Sequence, residues 1–132
     1  MRSVLTLVMI MAPAAVSVQA STPGDLPKVR DGLVAIAAAN EVQKNCDSIA
    51  PRMVRAYSAM KSLETYARSQ GYSAQDVQDY AKSNTAKAEI ASLARNYLVQ
   101  NGVDPAQPAT YCTVGSAEIE DGTSVGRLLK TK

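Results

Sequence analysis

Cys46 and Cys112 are the only two cysteines in a chain of 132 residues. They are too far apart for a CxxC redox motif, and an even count in a small exported domain reads as a disulfide. The bond would close most of the chain between its middle and its tail. On the chain-entropy view, a loop of that length removes about 4 kcal/mol of unfolded-state freedom. Any fold must therefore bring residue 46 against the stretch that starts at Tyr111.

The disulfide reading depends on export, and the first 20 residues supply the signal for it. Arg2 makes a short basic region, Val4 to Val18 is uncharged and largely apolar, and Val18-Gln19-Ala20 suits a signal peptidase. The apolar run falls short of the roughly 20 residues that a spanning helix needs, and Pro13 interrupts it. Residues 1–20 are read as a cleaved signal peptide and residues 21–132 as a single helical domain in the periplasm. No transmembrane segment is expected in the mature part. Residues 21–27 (STPGDLP) are read as a flexible leader. Removing Arg2 takes the net charge from +2 to +1, and the remaining Lys and Arg are scattered singly. Nucleic acid and anionic membrane surfaces are poor partners for such a chain.

Helical patterning runs through the mature part. Val29, Leu33 and Ile36 form one edge of a face from about Lys28, and Ala35, Ala39, Val42 and Cys46 form the other. Asp47 or Ser48 is a candidate cap for a second helix, with Pro51 in its first turn and a stripe of Met53, Tyr57, Met60, Leu63 and Ala67. Gly71 ends it. Ser73 and Asp76 form a variant capping box for a short third helix to about Lys82. Ser83-Asn84-Thr85 marks a break, the alternative being one helix from Ala74 to Asn101. Ile90, Leu93, Ala94, Tyr97 and Leu98 keep the helical spacing throughout, and Asn101-Gly102 stops that helix. A helix from Ala109 to about Asp121 places Cys112, Gly115 and Ile119 on one face. Gly122 breaks it, and Thr123 or Ser124 caps a last turn with Val125, Leu128 and Leu129 inward. No stretch alternates as a strand would. The fold class is all-α, a small bundle of four to five helices stapled by one disulfide.

The available chemistry is narrow. Without histidine, Ser–His and Cys–His nucleophilic catalysis are closed. A zinc site would have only carboxylates and oxidised sulfur to use. No glycine-rich phosphate loop or haem motif occurs. No catalytic, cofactor-binding or metal-ligating residue is nominated. Glu118 with Asp121, and Asp76 with Asp79, are spaced to share a helix face, where acid–base work is conceivable but a solvated surface is the ordinary outcome. For Glu118 a structural ion pair with Arg127 is expected, folding the last turn back on the helix. The tyrosines at 57, 66, 72, 80, 97 and 111 offer the lining of a groove, yet Tyr57 and Tyr97 fall on core stripes, which favours a tyrosine-filled core.

The tail, YCTVGSAEIEDGTSVGRLLK, resembles the C-terminal signature of a family of small exported alphaproteobacterial proteins of unknown function. Members of that family often carry the label of an NADH dehydrogenase subunit, because their genes lie near those of respiratory complex I. The resemblance implies no catalytic residues. It points to a non-enzymatic exported protein that acts by protein–protein interaction, with a respiratory membrane complex as the implied partner. A looser likeness is to the acid-stress periplasmic chaperones, which are also small, helical and single-disulfide. The alternative function is therefore an acid-responsive periplasmic chaperone.

Overall fold

The computed structural model describes residues 21–132. The signal peptide expected over residues 1–20 lies outside the described residues. Five helices dominate: α1 (Pro27–Asn45), α2 (Met53–Ser69), α3 (Ala74–Lys82), α4 (Asn84–Gln100) and α5 (Ala109–Asp121). Two three-residue strands, β1 (Ile49–Pro51) and β2 (Leu129–Thr131), form a small antiparallel ladder. The fold is a small all-α bundle with one disulfide, Cys46–Cys112, whose Cα atoms are 5.2 Å apart.

The starts and stops follow local chemistry. Ser73 Oγ accepts from the Asp76 amide, and the Asp76 carboxylate accepts from the Ser73 amide, so the capping box at α3 is complete. Ser83 closes α3 and opens α4, its Oγ accepting from the Ala86 amide. The two helices are therefore separate. After α2 and α4 the same exit recurs. Gly71 and Gly102 have positive φ, and the amides of Tyr72 and Val103 bond back to the carbonyls of Ala67 and Leu98. The segment read as a flexible leader carries a 3₁₀ turn, Pro23–Asp25, in which Pro23 is buried and the Asp25 carboxylate accepts from the Thr22 amide.

α1 is the central element, with α2, α4 and α5 all packed on it. The core lies between α1, α4, α5 and the tail. Ala38, Val42, Cys46, Ala94 and Leu98 are essentially inaccessible there, with Ile49 and Leu129 added from the two strands. Alanines on α1 let α4 and α5 approach closely. Gly115 extends this on α5, since a Cβ there would stand 2.6 Å from both Ile49 Cδ1 and Val42 Cγ1.

The sequence reading departs from the structure at residues 47–52. Asp47 and Ser48 cap no helix. Ile49–Pro51 is extended, and α2 starts after Arg52. Its partner is the tail, with Ile49 opposite Thr131, Ala50 opposite Lys130 and Pro51 opposite Leu129. Bonds from Lys132 N to Ser48 O and from Arg52 N to Leu128 O extend the pairing at both ends. Three residues are too few to show alternation, and the partner lies some 80 positions away, so no local pattern announces the ladder. The expected last turn is a 3₁₀ turn, Gly126–Leu128, that runs directly into β2.

Candidate functional site, an apolar groove on alpha1

α2 and α4 both pack on α1, while α3 joins their ends, and α2 and α4 scarcely touch each other. The space between them is an apolar groove of about 780 Å³. Leu33, Ile36 and Ala37 of α1 form its floor. Met53, Tyr57 and Met60 of α2 form one wall, and Ala86, Ile90 and Ala91 of α4 form the other. Val77 and Tyr80 of α3 close one end, and Pro51 and Leu128 lie at the opposite end.

The α2 stripe read as core is thus only partly core. Ala67 is buried, but Met53 and Tyr57 are 69% and 66% exposed, and Met60 is also exposed. The physical reason is geometric. α2 and α4 lie side by side on α1 and scarcely touch each other, so α4 does not cover that half of the stripe. Tyr57 therefore belongs to the groove, while Tyr97 is half-buried against the core. Exposed methionine on a helical groove is adaptable, since the thioether and its rotors fit many shapes. A contiguous exposed apolar surface of this kind commonly marks a binding site.

The charges around the groove are unequal. Among the described residues, the only charged side chains in its lining are Lys61, Glu64 and Lys87. Glu64 is already engaged by Lys61 at 3.1 Å, and that hydrogen bond and charge raise the Lys61 ammonium above its usual range. Lys87 forms no salt bridge among the described residues. At the Met53 end stand Arg52 and Arg55. Arg52 Nε donates to Leu129 O at 3.0 Å, and Arg55 donates to Arg127 O at 3.3 Å. Neither has a carboxylate partner among the described residues. The α3 end differs. Burial raises the Tyr80 hydroxyl above the ordinary tyrosine range, the charges of Glu89 and Asp25 push the same way, and Arg30 opposes them.

The tail carboxylates have other work. Glu118 is buried, at 5% exposure. Its carboxylate accepts from Tyr97 Oη at 2.9 Å and from Thr123 Oγ1. The expected Glu118–Arg127 ion pair is absent, because the turn at Gly122 carries Arg127 away and its Nε donates to Gly122 O at 3.0 Å. Thr123, a candidate cap for the last turn from its sequence position, also has a contact that spacing did not show. Its hydroxyl reaches Glu118, and its Oγ1 accepts from the Gly126 amide, tying the last turn to α5. Asp121 is exposed and Glu118 is enclosed, so the two do not act as a pair. Asp76 caps α3, and Asp79 accepts from Gln75. Among the described residues no cluster of three metal-ligating side chains occurs, and no helix is long and apolar enough to cross a membrane.

No curated protein and no solved structure matches the chain. A family described as a family of unknown function, DUF5333, matches residues 23–130, which spans every helix, β1, all but the last residue of β2 and both walls of the groove. On that coverage the chain belongs to the DUF5333 family.

Proposed function

We propose that this protein acts without chemistry of its own, by binding a protein partner through the groove between α2 and α4. The observation that supports this is the exposed row of Met53, Tyr57 and Met60 above a floor of Leu33, Ile36 and Ala37. Leaving large apolar side chains in water is unfavourable by roughly 1.5–3 kcal/mol each relative to burial. A partner that covers them recovers that free energy.

The proposal extends to place and neighbourhood. The protein is exported through residues 1–20 to the periplasm and works beside a respiratory membrane complex. Support for export comes from the disulfide, a bond kept in oxidising compartments, together with the sequence of residues 1–20. Support for the respiratory neighbourhood is the tail resemblance to proteins labelled as NADH dehydrogenase subunits.

The test is site-specific photo-cross-linking in the cells that make the protein. A photoreactive amino acid replaces Tyr57 in the groove or Asp121 outside it. A protein adduct at position 57, absent at 121 and lost when Met60→Glu is added, is the expected result. Equal adducts at both positions, or none at 57, would overturn the reading.

A further inference from the structure

We infer that Cys112 is the sulfur through which the disulfide exchanges with other thiols and disulfides, that Cys46 completes the exchange, and that the Ser48 hydroxyl assists it. None of the three residues lines the groove. The two sulfurs stand in unlike surroundings. Cys46 is 1% exposed and belongs to the core with Val42 and Ile49. Cys112 is partly exposed on α5. An incoming thiolate therefore reaches Cys112 first, since exchange requires access to the sulfur that is attacked.

Backbone charge works in the same direction. Cys112 is the fourth residue of α5, where the positive end of the helix dipole favours a thiolate. Cys46 caps the C-terminal end of α1, where the negative end disfavours one. Ser48 offsets that second effect. Its Oγ lies 3.2 Å from Cys46 Sγ and 3.9 Å from Cys112 Sγ. Disulfide sulfur carries no proton, so the serine hydroxyl is the donor in both contacts. Ser48 is itself exposed, and the ladder fixes its backbone, because the Lys132 amide donates to the Ser48 carbonyl.

In oxidation, the Cys112 thiolate attacks one sulfur of a disulfide reagent, forming a mixed disulfide and releasing one thiolate of the reagent. Cys46 then loses its proton to water under the Ser48 hydrogen bond. Its sulfur attacks Cys112 Sγ and expels the second thiolate of the reagent. The protein's thiols are oxidised to a disulfide, and the reagent's disulfide is reduced to thiols that take up the released protons. Reduction retraces the path, with the entering thiolate bonding to Cys112 and Cys46 leaving as a thiolate beside Ser48. The partner class is a dithiol–disulfide oxidoreductase, which meets the protein at the surface of Ser48 and Cys112.

Two measurements test this. In the first, the purified unaltered protein is reduced, freed of reductant and given a small amount of iodoacetamide, and the labelled cysteine is mapped by mass spectrometry. Cys112 is expected to carry the label roughly tenfold or more over Cys46, and concentrated urea should level the two. Equal labelling without urea, or a preference for Cys46, would overturn the inference. In the second, oxidised glutathione is added to the reduced protein and samples are quenched with acid. The expected intermediate carries glutathione on Cys112 and gives way to the Cys46–Cys112 disulfide. Cys46→Ser, which cannot close the bond, should accumulate that adduct. Ser48→Ala should slow the closing step roughly threefold or more, and Ser48→Thr, which keeps a hydroxyl, should restore it. Glutathione on Cys46 in place of Cys112, no adduct on Cys112 even with Cys46→Ser, or closing that is as fast in Ser48→Ala would each count against the assignment.

Discussion

Glu118 is a carboxylate in the interior with two hydroxyls and no cation around it. Its role is to join three parts of the chain: Tyr97 on α4, α5 itself, and Thr123 at the start of the tail. Replacing Glu118 by Ala leaves the Tyr97 and Thr123 hydroxyls without their acceptor, and an unsatisfied buried polar group costs about 1–3 kcal/mol. A loss of about 2 kcal/mol in urea unfolding is expected. Arg127→Ala should change stability by less than about 0.5 kcal/mol, because its side chain bonds only to an exposed carbonyl at Gly122. The reverse ranking would restore the ion pair that spacing suggested. Tyr97 also gives an alkaline signature. Burial holds its hydroxyl above the ordinary tyrosine range, and the hydrogen bond and charge of Glu118 add to this, with Thr123 opposing. The unfolded chain loses this proton near pH 10 while the folded chain keeps it. Stability is therefore complete below that pH and falls as pH rises above it. Thermal melts across the alkaline range should show that fall, and Tyr97→Phe should make it shallower.

At the scale of elements, the tail turn is the sharpest case. Gly126 sits directly on α5, and a Cβ there would overlap the backbone carbonyl of Glu118, which has no side-chain freedom to yield. Gly126→Ala is expected to cost about 2 kcal/mol, in the middle of the overpacking range. Its mark in hydrogen exchange should be local, with the β1–β2 ladder and the Arg52 amide losing protection while α1 and α4 keep theirs. Uniform loss across all helices would show that the tail does not open as a unit. Gly122, at φ 62°, makes that turn possible by taking the left-handed conformation that ends α5. α2 has a different logic. It is held at its C-terminal half by Ala67 and at its start by Arg52 bonding to the tail, which leaves its apolar middle open to the groove.

For the whole molecule, the disulfide joins the end of α1 to α5 across 66 residues. Replacing both cysteines by Ser should lower the unfolding free energy by about 4 kcal/mol, read as a drop in the urea midpoint of the variant against the oxidised protein. Much of this architecture was legible in the residues. The cap at Ser73, the break at Ser83, the stops at Gly71, Gly102 and Gly122, and the cysteine pairing all depend on the chemistry of one or a few neighbouring residues, or on there being only two thiols to pair. The all-α class followed from apolar spacing, which is a property of a single helix. What spacing could not show was which faces meet. The stripe through Met53, Tyr57 and Met60 reads the same whether a neighbour covers it or not, and the separate packing of α2 and α4 on α1 leaves it open. Glu118 and Arg127 look like a pair in sequence, yet the path of the backbone through Gly122 decides that Thr123 answers Glu118 instead. The ladder of residues 49–51 with 129–131 has no local signal, because its stabilising bonds connect distant parts of the chain. The sequence by itself determined the helices, most of their ends and the staple, since these are short-range matters of propensity, capping and covalent bonding; the start of α2 is the exception, because Ile49–Pro51 is drawn into the ladder with the tail. The groove and its exposed methionines were decided by tertiary structure alone, because they arise from the distances between packed elements.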